Sequence, residues 1–275
     1  MAHRKPKRPA ASTEERLDRG WDAFDRGDLE AALHAVRGVD PDDPERCVLE
    51  ANVLLESDDL HGARAALERS GESEGDDAEP QVLWTSAEIE LRCWNIERAR
   101  ELFERTAQAG RVAPLLARLA LCAELLGDLA RADALLAEAA ELDPDVWPAP
   151  PRLSESEFEG VLDEAVGQLP PEFRSVLSDT PILVEAVPDK SLIRLADTAS
   201  TPPDMLGLFV GPSQLDRSVQ DALELPASIH LFQRNLERAA LDRDELIEET
   251  RITLFHEIGH MLGFDEKGVE EMGLE

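Results

Sequence analysis

Tyrosine is absent from the 275-residue chain, and cysteine is confined to Cys47, Cys93 and Cys122. Without tyrosine, no phenol can act as acid or hydrogen-bond donor at any site. Three cysteines without a CxxC pair exclude a zinc ribbon and an even disulfide framework. They fit a reducing, cytoplasmic setting, each as a small buried hydrophobe on a helix. No apolar run approaches the ~18 residues that read as a membrane span. The start, MAHRKPKRPAASTEE, is basic but has no apolar stretch behind it, so a signal peptide is not expected. Basic residues are scarce, 28 against 59 acidic ones, for a formal charge of −31. Nucleic acid binding needs clustered Lys and Arg, and only Arg4, Lys5, Lys7 and Arg8 cluster; residues 1–11 read as a solvated basic tail. The same acidity disfavours anionic lipid surfaces. Hydrophobic residues still make up 43% of the chain, enough for packed cores in one or two domains.

The first half is rich in Ala, Leu, Glu and Arg, and it repeats. RGDLEAAL from Arg26, SDDLHGARAAL from Ser57, CWNIERARELF from Cys93 and LGDLARADALL from Leu126 align on Leu29, Leu60, Ile96 and Leu129. Three positions further on stands Ala32, Ala63, Ala99 or Ala132, and four beyond that Val36, Leu67, Phe103 or Leu136. Twelve residues before each alanine comes Gly20, Ala51, Ala87 or Ala120. Small residues at fixed positions let two helices of a hairpin approach, and the larger ones fill the gap to the next hairpin. This small–small–large pattern at a period near 34 resembles the tetratricopeptide repeat over residues 12–145. The resemblance implies a curved stack whose concave face binds a protein or peptide. The stretch SGESEGDDAEP, Ser70 to Pro80, reads as a flexible loop between the second and third repeats.

Composition then changes. The segment DPDVWPAPPRLSESE is proline-rich, and 146–157 reads as an extended linker. Beyond it SEFEGVLDEAVGQLP reads as a helix with Phe158, Val161, Leu162, Ala165, Val166 and Leu169 on its apolar face. Three β-branched runs follow, PILVEAV, GLFVG and SIHLF, each strand-like and bounded by turn residues. A long helix closes the chain from near Asp242, with Asp242 and Glu245 placed for a capping box and Leu246, Thr250, Leu254, Ile258 and Leu262 on one face. The fold class is therefore α+β: an all-α repeat domain, then a small α+β domain over 158–275 with a short sheet and a C-terminal active-site helix.

That helix carries His256-Glu257-Ile258-Gly259-His260. Histidines at i and i+4 project from one face, so their ring nitrogens can converge on one cation. Glu257 lies about 100° around the helix, able to reach a metal-bound water without being a ligand. Zinc lowers the pKa of such a water to about 7, and a carboxylate base completes the hydrolytic pair. Gly263 can end the helix in a left-handed turn, and Asp265 and Glu266 follow it, placed to swing back as a third ligand.

LFHEIGHMLGFDEKGVEEMGL, with the ILVEAV, LGLFVG and IHLFQRNL segments before it, resembles the small bacterial zincin-like metallopeptidases. The resemblance spans about 110 residues. It implies Zn2+ held by His256 and His260, Glu257 as general base, and a carboxylate third ligand in the register of Glu266, with Asp265 as the alternative. It implies a peptide-like substrate, which SIHLF could receive as an edge strand. With no tyrosine in the chain, oxyanion stabilisation falls to His230, to Arg234 or to the metal. His230 itself reads as a solvent-facing strand residue, and Met272 as packing. From Pro151 onward there are 10 basic and 26 acidic residues, a net −16 that favours basic or neutral substrates. Two functions share these residues: a zinc peptidase-like hydrolase with a recruiting repeat domain, and a non-catalytic adaptor whose metal serves structure or regulation.

Overall fold

A computed structural model of the chain describes residues 11–71, 78–193, 201–212, 227–265 and 268. It divides into two compact units, residues 1–110 and 111–275. The first contains six helices, α1 (Thr13–Phe24), α2 (Leu29–Ala35), α3 (Pro44–Glu56), α4 (Leu60–Arg69), α5 (Pro80–Arg92) and α6 (Ile96–Thr106). They pack as three sequential hairpins. A fourth hairpin, α7 (Ala113–Leu125) and α8 (Leu129–Leu142), opens the second unit.

All four hairpins turn by the same device. Gly27, Asp58, Trp94 and Gly127, each two residues before the aligned apolar position, adopt positive φ of 75°, 59°, 59° and 82°. The next residue sends its backbone N–H to a carbonyl five residues earlier, as in Asp28 to Ala23 and Asp128 to Ala123. Asp28, Asp59 and Asp128 then cap the second helix through their side chains, accepting from the amides of Ala31, Gly62 and Arg131. The alanine column is fully buried, as are Ala51, Ala87 and Ala120 in the partner helices. A Cβ at Gly20 would stand 2.5 Å from Leu49 Cδ2, so that close approach requires glycine. Residues 72–77 of the loop after the second hairpin lie outside the described residues.

In the second unit, α9 (Glu155–Gln168) and α10 (Pro171–Val176) precede a short 3-10 turn at Leu177–Asp179. Strand β1 (Ile182–Glu185), helix α11 (Lys190–Ile193), β2 (Gly207–Val210), β3 (Ser228–Phe232), α12 (Gln233–Ala239) and α13 (Arg243–Leu262) complete it. The three β-branched runs are the three strands. Their order is β1-β3-β2, with β1 parallel and β2 antiparallel to β3. This corrects the reading of SIHLF as an edge: β3 is central, and β2 is the outer strand beside α13. Ile229 and Leu231 point from β3 into a core shared with Phe158, Val161, Leu254 and Ile258. Phe232, Leu208 and Val210 line the opposite face of the sheet.

The proline-rich segment is extended but docked. Arg152 reaches Glu124 of α7 (3.0 Å), Asp133 of α8 (3.0 Å) and Glu237 of α12 (2.7 Å). Arg234 binds Glu124 (2.7 Å) and Asp133, and Arg238 also binds Glu124. The Leu153 amide donates to Glu237, and Gln233 donates to the Leu153 carbonyl. Three arginines thus meet three carboxylates, with the Glu124 side chain fully enclosed. This network ties the fourth hairpin to the sheet unit, in which it lies one hairpin before the change in composition.

Two substitutions test these arrangements. Gly27→Ala should cost about 1 kcal/mol, read by denaturant melt, since nothing lies within 4 Å of the added Cβ and the left-handed φ is the sole penalty. Glu124→Ala should cost about 3–5 kcal/mol because it leaves arginines enclosed without their shared partner. A loss under 1 kcal/mol in a urea melt would show that the network does not hold the hairpin.

Candidate metal centre

Helix α13 is fixed at both ends. Asp242 caps its start, Oδ1 accepting from the amides of Asp244 (2.9 Å) and Glu245 (3.0 Å). The expected capping box is not completed, because Glu245 instead accepts from the Leu241 amide (2.9 Å). At the other end Gly263 is left-handed, with φ 100°, and the Phe264 amide returns to the Gly259 carbonyl (3.1 Å). Leu246, Thr250, Leu254 and Ile258 are buried along the face expected of them. Phe255 packs edge-on against Phe173 of α10, with ring centroids 4.4 Å apart, which anchors the turn bearing His256.

The two histidine rings converge. Their Nε2 atoms lie 3.0 Å apart and their ring centroids 4.7 Å apart. Two nitrogens bound tetrahedrally to one zinc stand about 3.3 Å apart, so little adjustment separates this pair from a ligand pair. Nδ1 of His260 is 3.1 Å from the Phe264 carbonyl oxygen, which can only accept. That contact orients the ring with Nε2 toward His256, the orientation outer-shell partners give metal-ligating imidazoles. The donor set fits zinc as far as two ligands. Among the described residues, no group of three His, Cys, Asp or Glu is gathered for a metal. Asp265 accepts from the Gly268 amide (2.9 Å), and Glu266 lies outside the described residues, as does Met272.

Glu257 is anchored on the sheet. Its Oε2 accepts from the backbone N–H of Phe209 at 2.6 Å, and the residue is only 6% exposed. In the β2–β3 pairing, Leu208 opposes His230 and the Phe232 amide donates to Leu206, so the amide of Phe209 lies on the unpaired side of β2. The general-base candidate is thus held by the sheet edge nearest it. Sequence reasoning did not anticipate this backbone donor, although Gly207 signalled it: a Cβ there would meet Thr253 Cγ2 at 2.6 Å and Glu257 Cγ at 3.2 Å.

The two side chains considered for an oxyanion are engaged elsewhere. His230 is buried, not solvent-facing, because both faces of the central strand are covered. Its Nδ1 meets Glu185 (3.2 Å) and its Nε2 meets Ser228 (3.0 Å), on the sheet face away from α13. Arg234 belongs to the Glu124 network.

Residues 177–274 match the family model described as zincin-like metallopeptidase, which supports a zincin domain over the last third of the chain and, with it, a hydrolase of the zinc metallopeptidase type. No curated protein matches the chain. Among the described residues, no helix is long and apolar enough to cross a membrane.

Since Asp265 already caps a following amide, Glu266→Ala should weaken zinc retention substantially more than Asp265→Ala. The comparison is made by chelator competition on the purified variants, and the reverse order would reassign the third ligand.

Proposed function

We propose that the chain is a zinc-dependent peptidase-like hydrolase, with His256 and His260 as ligands, the Glu266 carboxylate as third ligand (Asp265 the alternative), and Glu257 as general base. The observation that carries this reading is the convergence of the two Nε2 atoms at 3.0 Å beside a carboxylate fixed on the adjoining strand edge. Zinc, when bound, supplies Lewis acidity that brings the pKa of a water to about 7. Glu257 would be the group that holds and moves a proton beside the zinc held by His256 and His260, a role suited to a carboxylate whose heading is set by one strong donor. The outward side of β2, whose Phe209 N–H is taken by Glu257, leaves its other backbone groups to an extended peptide, so recognition reads main chain more than sequence. The chain has no tyrosine, and His230 and Arg234 are engaged elsewhere, so neither of these two side chains is the oxyanion donor in this reading; the metal, when bound, would supply that stabilisation.

The repeated hairpins are the partner-binding part of this proposal. Their shared turn geometry and buried small-residue columns support a tetratricopeptide-like stack that takes a protein or peptide, with no role for nucleic acid or membrane. Its acidity favours a basic or neutral ligand. The odd cysteine count without a CxxC pair is the ground for placing this hydrolase in a cytoplasmic setting. A non-catalytic adaptor that keeps its metal for structure is the second reading.

Zinc analysis and digestion of an unbiased peptide library, wild type beside Glu257→Gln, decide between them. The hydrolase predicts near-stoichiometric zinc in both proteins and cleavage reduced about 100-fold or more in the variant. Retained zinc with no cleavage by the wild type supports the adaptor, and undiminished cleavage by Glu257→Gln removes Glu257 from the mechanism.

A further inference from the structure

The heading of Glu257 depends on where β2 lies, and β2 is a four-residue strand paired on one side among the described residues. The segment leading into it is gripped by a residue of α12. Asn235, 2% exposed, donates its side-chain amide to the Met205 carbonyl (2.6 Å) and the Pro203 carbonyl (3.1 Å). Its Oδ1 accepts from Arg238, one turn further along the same helix. Arg238 is itself bound to Glu124, the enclosed carboxylate of α7. Both donors of the asparagine amide and its oxygen are therefore engaged, with the amide orientation fixed by a cation on one side and two acceptors on the other. From the carbonyls it holds, the chain runs two residues to Gly207, and two more to Phe209.

We infer that Asn235 is a positioning residue of the candidate site. By clamping the 203–205 approach, it sets β2 at the height where the Phe209 N–H meets Glu257, and the Glu124–Arg238 pair of the fourth hairpin and α12 sets Asn235. Its significance for turnover rests on the reading of Glu257 as general base; the placement of the Phe209 amide does not. The connection also gives the α7–α8 hairpin a part in the site that a bare recruiting repeat would lack. An ordinary buried asparagine would contribute stability alone, leaving the Phe209–Glu257 contact unchanged when replaced in a protein that still folds.

The test uses the full-length protein with Asn235→Asp, which keeps the side-chain shape and the acceptor for Arg238 but cannot donate to two carbonyls. Hydrogen exchange of the Phe209 amide, measured in metal-free protein, should accelerate about tenfold or more. Zinc affinity by chelator competition should stay within about threefold, because both histidines are borne by α13. Where the wild type cleaves peptide, kcat should fall about tenfold with KM little changed, the signature of a misplaced catalytic group. Phe209 exchange at the wild-type rate overturns the inference. If Asn235→Asp loses its cooperative melt, the uncharged Asn235→Ser is measured in its place with the same expectations. Faster Phe209 exchange in a protein whose wild type cleaves nothing upholds the positioning and rejects the hydrolase. Cleavage by the wild type with unaltered exchange in the variant rejects the positioning alone.

Discussion

Strand β2 can lie against α13 only because Gly207 has no side chain where the helix presents Thr253 and Glu257. The missing Cβ has two consequences. It brings the sheet edge near enough for a backbone amide to reach the Glu257 carboxylate, and it leaves room for the Thr253 side chain beside the strand. A larger residue would lift β2, and the carboxylate would then be buried without that donor, a costly state for an ionised group. The glycine, the strand amide and the glutamate are thus one arrangement seen from three sides.

Local features of this arrangement were legible in the sequence. The four-residue histidine spacing fixes a shared helical face whatever the tertiary context, and Gly263 marks the helix end because few other residues adopt its φ. The alanine and glycine columns of the hairpins were equally plain, since a period repeated four times overrides noise at single positions. Strand existence was legible; strand order was not. Alternation in SIHLF reads as one buried and one exposed face, but a central strand covered on both sides gives the same letters, so His230 was misassigned to solvent. Asn235 and Phe209 carry no sequence signature. One acts through carbonyls about thirty positions earlier, and the other through its main chain.

The charge network shows a second limit of composition. Prolines make residues 148–154 extended, and extension in a sequence is easily equated with independence. Here the segment carries Arg152 and the Leu153 amide into contacts with α7, α8 and α12. Proline stiffens such a segment and lowers the entropy lost on docking it, so a proline-rich stretch can serve as a strap as well as a spacer.

Why the enclosed cluster is ionic follows from what it must specify. Apolar residues of similar volume would bury the same surface, often with greater stability, but they tolerate sliding and rotation. A carboxylate shared by three guanidinium groups from two segments does not, because each fork accepts few orientations. Arg238 passes that orientation to Asn235, and Asn235 passes it to the carbonyls ahead of β2. Directional bonds of this kind suit a unit in which a strand edge has to meet a helix carboxylate to within a fraction of an ångström, where hydrophobic packing alone would leave the register of a four-residue strand loosely set.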